Sequence, residues 1–340
     1  MQAMRELAGV TCERFEREVL PAYEPVVMRG LVAGWPLVAQ GRAGLEPCLR
    51  YLMGFDLGRP VDALLARPDP SRAFGFAPGL DGFNFARDKR PYAALFEQLW
   101  RYSHFPEPPS LAAQSALVAE ALPGLEQANA CPLLDATVAP RIWIGNRATV
   151  PAHFDDSHNV ACVAAGRRRF TLLPPQCAPR LYLAAPDHAP TPAPMSVVPD
   201  LLQADPARFP LLAEALPQAR VAELEPGDAI YIPPLWFHQV EALAPHLNVL
   251  MNYWWRPEAA SGRRDDLHLA ALRLAMLALR HLPDGEREGW RALFDHYVFG
   301  ARGEALAHIP EGQRHLFGEL DVERDAALRK DIAARLGAGG

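Results

Sequence analysis

The segment of this chain best suited to chemistry is Val150-Pro-Ala-His153-Phe-Asp155. In a strand, residues i and i+2 share a face, so the imidazole of His153 and the carboxylate of Asp155 aim at one point. A second imidazole, His238, follows Asp155 by 83 residues (238 − 155), just past an apolar stretch and a proline pair, Tyr231-Ile-Pro-Pro234. Two imidazoles and one carboxylate form a facial triad with three open coordination positions, the arrangement of non-haem Fe(II) sites. The absence of cysteine from the set argues against structural zinc. An H-x-D pair alone is a weak signal in a chain of this length, and its weight comes from its surroundings.

Those surroundings must place three side chains from two distant segments on one face. From Ala139 the sequence offers short runs rich in β-branched and aromatic residues: Ile142–Ile144, Val160–Val163, Phe170–Leu173, Ala229–Ile232 and Leu247–Trp255. Gly166, Pro174-Pro175 and Pro226-Gly227-Asp228 separate them. Short strands punctuated by turn residues predict a sandwich or barrel. Leu181–Leu216 carries seven prolines and is expected to be a long insertion between strands. The first hundred residues read as mixed α/β, with a strand at Pro25–Gly30 and a helix within Arg90–Tyr102. After Arg256, Leu269, Leu272, Met276 and Leu279, then Pro283-Asp-Gly285, then Trp290, Leu293, Phe294 and Tyr297 predict a helical hairpin. It has more apolar surface than one packed face needs, so homodimerisation through these C-terminal helices is one expectation and packing on the barrel the other.

Composition sets the outer bounds. Half of the 340 residues are hydrophobic, 22% are charged, and the formal net charge is −6. That excludes disorder over most of the length and disfavours a basic nucleic-acid binder. Five cysteines without a C-x-x-C pair do not suggest a disulfide framework. The N-terminal residues lack a signal-peptide core, and no apolar run approaches the ~18 residues of a membrane span. The expectation is a cytoplasmic protein without membrane or nucleic-acid partners. Of 34 basic residues, only Lys89 and Lys330 are lysines.

The triad lies within a longer pattern: Asn159, Gly166-Arg-Arg-Arg-Phe170, Leu172-Leu-Pro-Pro175, Pro226-Gly-Asp-Ala-Ile-Tyr-Ile-Pro-Pro234, Trp236-Phe-His238 and Asn252-Tyr-Trp-Trp255. From about Arg141 to Trp255 the chain resembles the cupin-like, JmjC-related oxygenases of the asparaginyl-hydroxylase type. The resemblance implies a mainly β fold with flanking helices, built on a double-stranded β-helix (jelly-roll) core with the helical hairpin after it. The corresponding division is residues 1–138 as an α/β flank, 139–256 as the catalytic core and 257–340 as the helical region.

It further implies an Fe(II)- and 2-oxoglutarate-dependent dioxygenase that hydroxylates a C–H bond. The substrate would be a protein side chain or a small amino-acid-like molecule, with dioxygen as the other reactant. Carried over by motif, His153, Asp155 and His238 would be the metal ligands. Asn159 and Asn252 would lie near the co-substrate, and Trp254 would line the pocket. The family's lysine, fifteen residues after the first histidine, anchors the far carboxylate of 2-oxoglutarate, and here that position is Arg168. An arginine can hold a carboxylate bidentately, although it does not replace lysine conservatively.

Two other positions depart from the pattern. Val150 stands where many relatives have threonine, and Leu111-Ala-Ala-Gln114 lacks the tyrosine that precedes glutamine in relatives. Gln114 or Trp143 could compensate. The departures keep two alternatives open: a catalytically silent cupin-fold metal-binding or scaffold protein, and a metal-dependent cupin enzyme that does not use 2-oxoglutarate.

Overall fold

A computed structural model describes residues 1–191, 193–256, 267–300, 308–314, 316 and 321–337. The chain divides into two compact units, Met1–Trp255 and Arg256–Gly340. The first contains thirteen strands: β1 (Arg5–Ala8), β2 (Val26–Arg29), β3 (Pro60–Ala66), β4 (Phe85–Pro91), β5 (Ser110–Leu117), β6 (Pro140–Gly145), β7 (Ala148–His153), β8 (His158–Ala165), β9 (Arg168–Leu173), β10 (Arg220–Leu224), β11 (Ala229–Ile232), β12 (Phe237–Ala242) and β13 (Asn248–Trp255). They form a nine-stranded sheet, β1-β2-β11-β8-β13-β6-β5-β3-β4, and a four-stranded sheet, β10-β9-β12-β7.

From β6 onward the chain alternates between the two sheets, except at the β9–β10 step, where the proline-rich insertion intervenes. This alternation is the winding of a jelly roll. The larger sheet also takes strands from before residue 138, so the α/β flank continues the sheet that carries the core.

Period-2 patterning divides the apolar side chains between two cores. Between the sheets, Val27, Ala161, Val163, Ile230, Ile232 and Leu250 meet Phe170, Leu172, Ala222 and Leu224. On the other face of the large sheet, Met28, Val160, Cys162, Tyr231 and Met251 pack with Phe15, Leu37, Leu52, Tyr92 and Leu95 from helical segments. The helix at Tyr92–Tyr102 buries Tyr92, Leu95, Phe96 and Leu99, one stripe of a 3.6-residue period. Strands β8 and β13 are buried on both faces, which explains why they read as nearly unbroken apolar runs.

The insertion between β9 and β10 contains a 3₁₀ helix at Pro175–Arg180 and a short α-helix at Leu212–Ala215. It is tied down rather than loose. The backbone N–H of Ser196 donates to the Ala152 carbonyl at 2.7 Å, and Leu201 N–H donates to Gln239 Oε1 at 2.8 Å. The second unit contains helices at His268–Leu279 and Asp284–Phe294, the expected hairpin, and a third at Val322–Gly337. Leu277 and Phe299 are about three-quarters exposed, at 75% and 74%. Among the described residues no helix is long and apolar enough to cross a membrane.

The β8–β9 turn depends on Gly166, whose φ is +70°, a region that side chains rarely adopt. A Cβ there would lie 2.4 Å from Asn248 Oδ1 and 2.5 Å from the Leu247 carbonyl. Gly166→Ala should therefore lose about 2 kcal/mol or more of stability, read as a lower urea midpoint at unchanged slope.

Candidate metal centre

Strand register builds the triad. Across the β7–β12 pair His238 lies directly opposite His153, so the two imidazoles share a face, and their ring centroids are 4.4 Å apart. Asp155 lies two residues past His153, beyond the end of β7. Its backbone carbonyl accepts a 2.7 Å hydrogen bond from Leu235 N–H, in the turn that leads into β12. Leu235 has φ +67°, an uncommon state for a leucine, and the bond holds this turn against the ligand segment. Ligand atoms of His153, Asp155 and His238 all lie within 4.8 Å of one another.

Hydrogen bonds also fix the tautomers. His153 Nδ1 is 2.9 Å from the Pro151 carbonyl and His238 Nδ1 is 3.0 Å from the Trp236 carbonyl. A carbonyl only accepts, so both Nδ1 atoms carry hydrogen, and Nε2 is the ring atom left to present a lone pair to a metal. His238 Nε2 is 3.6 Å from Asp155 Oδ2. Burial, with His238 beside it and despite the opposing pull of Asp155, brings His153 down to about 4. Two imidazole Nε2 atoms and a carboxylate thus converge on one point. A divalent cation satisfies that donor set, and the backbone carbonyls behind the rings are the outer partners that metal-bound histidines ordinarily have.

The other side chains singled out from the sequence surround this point. Asp155 Oδ2 accepts from Trp254 Nε1 at 3.0 Å and from Asn159 Nδ2 at 3.3 Å. Asn252 Nδ2 donates to Asn159 Oδ1 at 3.4 Å, and its own Oδ1 accepts from Trp143 Nε1 at 2.8 Å. Trp143 is therefore engaged with Asn252. Gln114 follows Ala113, which packs on the helix side, so alternation turns Gln114 toward the inner face. No hydrogen bond joins it to the triad among the described residues. Val150 pairs with Val240 and cannot donate where a threonine would.

Arg168 shares the inner face with His238. Its cross-strand partners are Ala242 and Leu224, and it alternates with Phe170 and Leu172, the latter opposite His238. Its neighbours turn outward, Arg169 to Glu223 at 2.8 Å and Glu241 at 3.1 Å, and Arg167 to Glu223 at 3.4 Å. Arg168 is only 8% exposed, has no acidic partner among the described residues, and its Nε lacks a hydrogen-bond partner. Burial brings its guanidinium down to about 10, which leaves it charged at neutral pH. An unpaired cation buried beside a metal-type donor set fits the far carboxylate of a 2-oxo acid, since a buried charge otherwise carries a heavy desolvation cost.

Several participants escaped the sequence reading. Met195, from the insertion, forms a β-bridge with His153. Arg141 lies over the Trp254 ring, 5.8 Å from its centroid, and no local motif marks it. His158, five residues past His153, is by contrast no part of the site: it stacks on Trp255 at 5.2 Å and bonds to the Tyr231 hydroxyl at 2.8 Å, on the helix side of the sheet. Asp265 and Asp266, a carboxylate pair that the sequence places at a helix start, lie outside the described residues.

A family profile described as "Cupin-like domain" matches residues 12–261. The Arabidopsis thaliana protein named "Lysine-specific demethylase JMJ31" is 31% identical over 153 residues, 42% of this chain and 27% of that protein. The Drosophila melanogaster "Jumonji C domain-containing protein 5" is 26% identical over 266 residues, 74% of this chain and 59% of that protein. The human "Bifunctional peptidase and (3S)-lysyl hydroxylase JMJD7" is 30% identical over 137 residues, 35% of this chain and 42% of that protein. The chain thus spans between 27% and 59% of the length of these curated relatives.

Because His153 is held below its ordinary value, the unfolded chain takes up its proton first as the pH falls. The metal-free protein should keep this contribution above about pH 6.5 and lose it progressively toward pH 4. Thermal melts across that range should slope downward for the wild type and less so for His153→Gln. Trp254→Phe removes the donor that orients Asp155 and should weaken divalent-metal affinity by about 10- to 100-fold, measured by calorimetry with Mn(II).

Proposed function

Since the chain belongs to the cupin-like, JmjC-related family, we propose that it is an Fe(II)- and 2-oxoglutarate-dependent oxygenase that hydroxylates a C–H bond. The carrying observation is the convergence of His153, Asp155 and His238 on the inner face that also holds the buried, unpaired Arg168. In this reading, the Nε2 atoms of the two histidines and the Asp155 carboxylate would hold the iron. The bound iron supplies oxygen activation coupled to oxidation of the 2-oxo acid, whose products are succinate and CO₂.

The remaining roles belong to the chain. Arg168 neutralises the far carboxylate of 2-oxoglutarate. Asn159, Asn252 and Gln114 offer amides around the co-substrate. Trp254 keeps Asp155 oriented and lines the pocket, and the apolar residues between the sheets exclude water from the reaction. The substrate is a protein side chain or a small amino-acid-like molecule. The relatives' names favour a protein side chain, although two of those names point to lysine by different reactions. The exposed apolar residues of the C-terminal helices support a homodimer formed through them.

A second reading is a silent metal-binding protein, or a cupin enzyme that uses no 2-oxo acid. Its support is Val150 together with the Leu111-Ala-Ala-Gln114 segment, which supply no hydroxyl to a co-substrate. One titration separates the readings. With Mn(II) in place of iron, 2-oxoglutarate should raise the melting temperature of the wild type, and with Fe(II) and oxygen succinate should accumulate. If Mn(II) binds but 2-oxoglutarate produces no shift, the second reading replaces the first. Asp155→Ala should abolish metal binding. Arg168→Ala should retain the metal while 2-oxoglutarate affinity falls by about 10-fold or more.

A further inference from the structure

We propose that Arg141 forms a recognition site for a carboxylate on the primary substrate, beside the metal-binding triad. The inference rests on the oxygenase reading and adds to it the chemical class of the substrate. Arg141 lies on β6, directly opposite Asn252 of β13, and on the same face as Trp143. This is the face of Asn159 and Trp254, the two side chains that donate to Asp155. The Arg141 guanidinium sits over the Trp254 ring, so one side chain separates it from a metal ligand.

The guanidinium is held in place without being neutralised. Its Nη1 donates to the Ser115 carbonyl at 2.7 Å and approaches Ser115 Oγ at 3.4 Å. Ser115 has φ +48° and lies in a bulge of β5 between Ala113 and Ala116, which turns its carbonyl toward Arg141. An indole face and a neutral backbone oxygen position a cation but do not cancel its charge. Arg29, Arg169 and Arg220, also part-buried, have acids: Arg29 pairs with Glu6 and Asp228, Arg169 with Glu223 and Glu241, and Arg220 with Glu24, whereas Arg72 donates to the Pro108 carbonyl. No carboxylate pairs with Arg141 among the described residues.

The charge balance of the loaded site gives this meaning. A divalent metal and Arg168 together match Asp155 and the two carboxylates of 2-oxoglutarate. Arg141 is then the charge left over, at the side of the triad where Trp254 lies. A substrate carboxylate would take it bidentately through the edge that Ser115 does not occupy. A cationic substrate group would meet an uncancelled positive charge. The carboxylate can come from an aspartate or glutamate side chain within a peptide, or from the main-chain carboxylate of a free or C-terminal amino acid.

The test is calorimetry on the full chain, both metal-free and loaded with Mn(II) and 2-oxoglutarate. The probes are N-acetyl-aspartate N-methylamide, N-acetyl-alanine, the matching neutral amides of asparagine and alanine, and N-acetyl-lysine N-methylamide. The wild type should bind one of the two acids roughly tenfold more tightly than its amide counterpart, and which acid wins identifies the source. Arg141→Gln should bring that ratio close to one while leaving Mn(II) and 2-oxoglutarate affinities unchanged, and Arg141→Lys should restore part of it. Equal binding of acid and amide, a preference for the lysine probe, or no acid binding below about 20 mM overturns the proposal. So does loss of 2-oxoglutarate affinity in Arg141→Gln, which would assign Arg141 to the co-substrate. If Arg141→Gln does not fold, the wild-type ratio and its partial retention in Arg141→Lys decide. Failure of the oxygenase reading shows separately, as a wild type that binds no 2-oxoglutarate, and the metal-free acid and amide arms still report on Arg141.

Discussion

The register that sets His238 of β12 opposite His153 of β7 is the constraint on which the site depends. A slip of one residue would turn one imidazole out of the barrel, because strand side chains alternate with a period of two. Several contacts hold that register. β12 is also paired with β9, where His238 meets Leu172 and Val240 meets Phe170, both packed between the sheets. The β7–β12 ladder is irregular between His238 and Val240, next to the ligand, where a bulge can re-aim a side chain. The backbone bond from Leu235 to Asp155 then attaches the third side chain of the triad to the same turn.

Electrostatics explains why this arrangement awaits partners. Both imidazoles spend their Nδ1–H on backbone carbonyls, which leaves lone pairs facing a carboxylate at the centre. Deeper on the same face is the Arg168 guanidinium with a bare Nε, while its neighbours Arg167 and Arg169 are engaged with Glu223 and Glu241 outside. Strand alternation sorted three consecutive arginines, sending two to solvent-side ion pairs and one to the interior. Uncompensated charges of opposite sign within one apolar enclosure are costly unless ligands neutralise them. The metal-donor set and the buried cation are therefore complementary demands of one site.

The surrounding structure holds that enclosure together. Helices cover the outer face of the large sheet, so its central strands are apolar on both sides. The proline-rich insertion could not be placed from its own sequence, because proline rules out long regular elements without specifying a path. In the fold, Met195 bridges to His153 and Ser196 bonds to Ala152, which brings the insertion to the ligand strand. Early strands from β1 to β5 extend the same large sheet, and β5 supplies the bulge at Ser115 that holds Arg141. Residues far apart in sequence thus meet at one mouth.

The H-x-D spacing, the apolar run ahead of His238 and the punctuated strands were enough to indicate a β-rich core and three side chains able to converge in it, because they are local patterns with local geometric consequences. The same local alternation implied that one of Arg167, Arg168 and Arg169 would face inward. Other features were not legible. Arg141 looks like any arginine at a strand start, Leu235 like any residue after a proline pair, and Met195 like part of a loop. Their roles come from partners distant in sequence: His153 for Met195, Asp155 for Leu235, and Trp254 and Asn252 for Arg141. Sequence by itself determined which side chains share a face, since that follows from backbone period. Only the tertiary structure decided which faces meet and which charges remain unpaired there, since both depend on strand pairing between distant segments and on the desolvation that pairing produces.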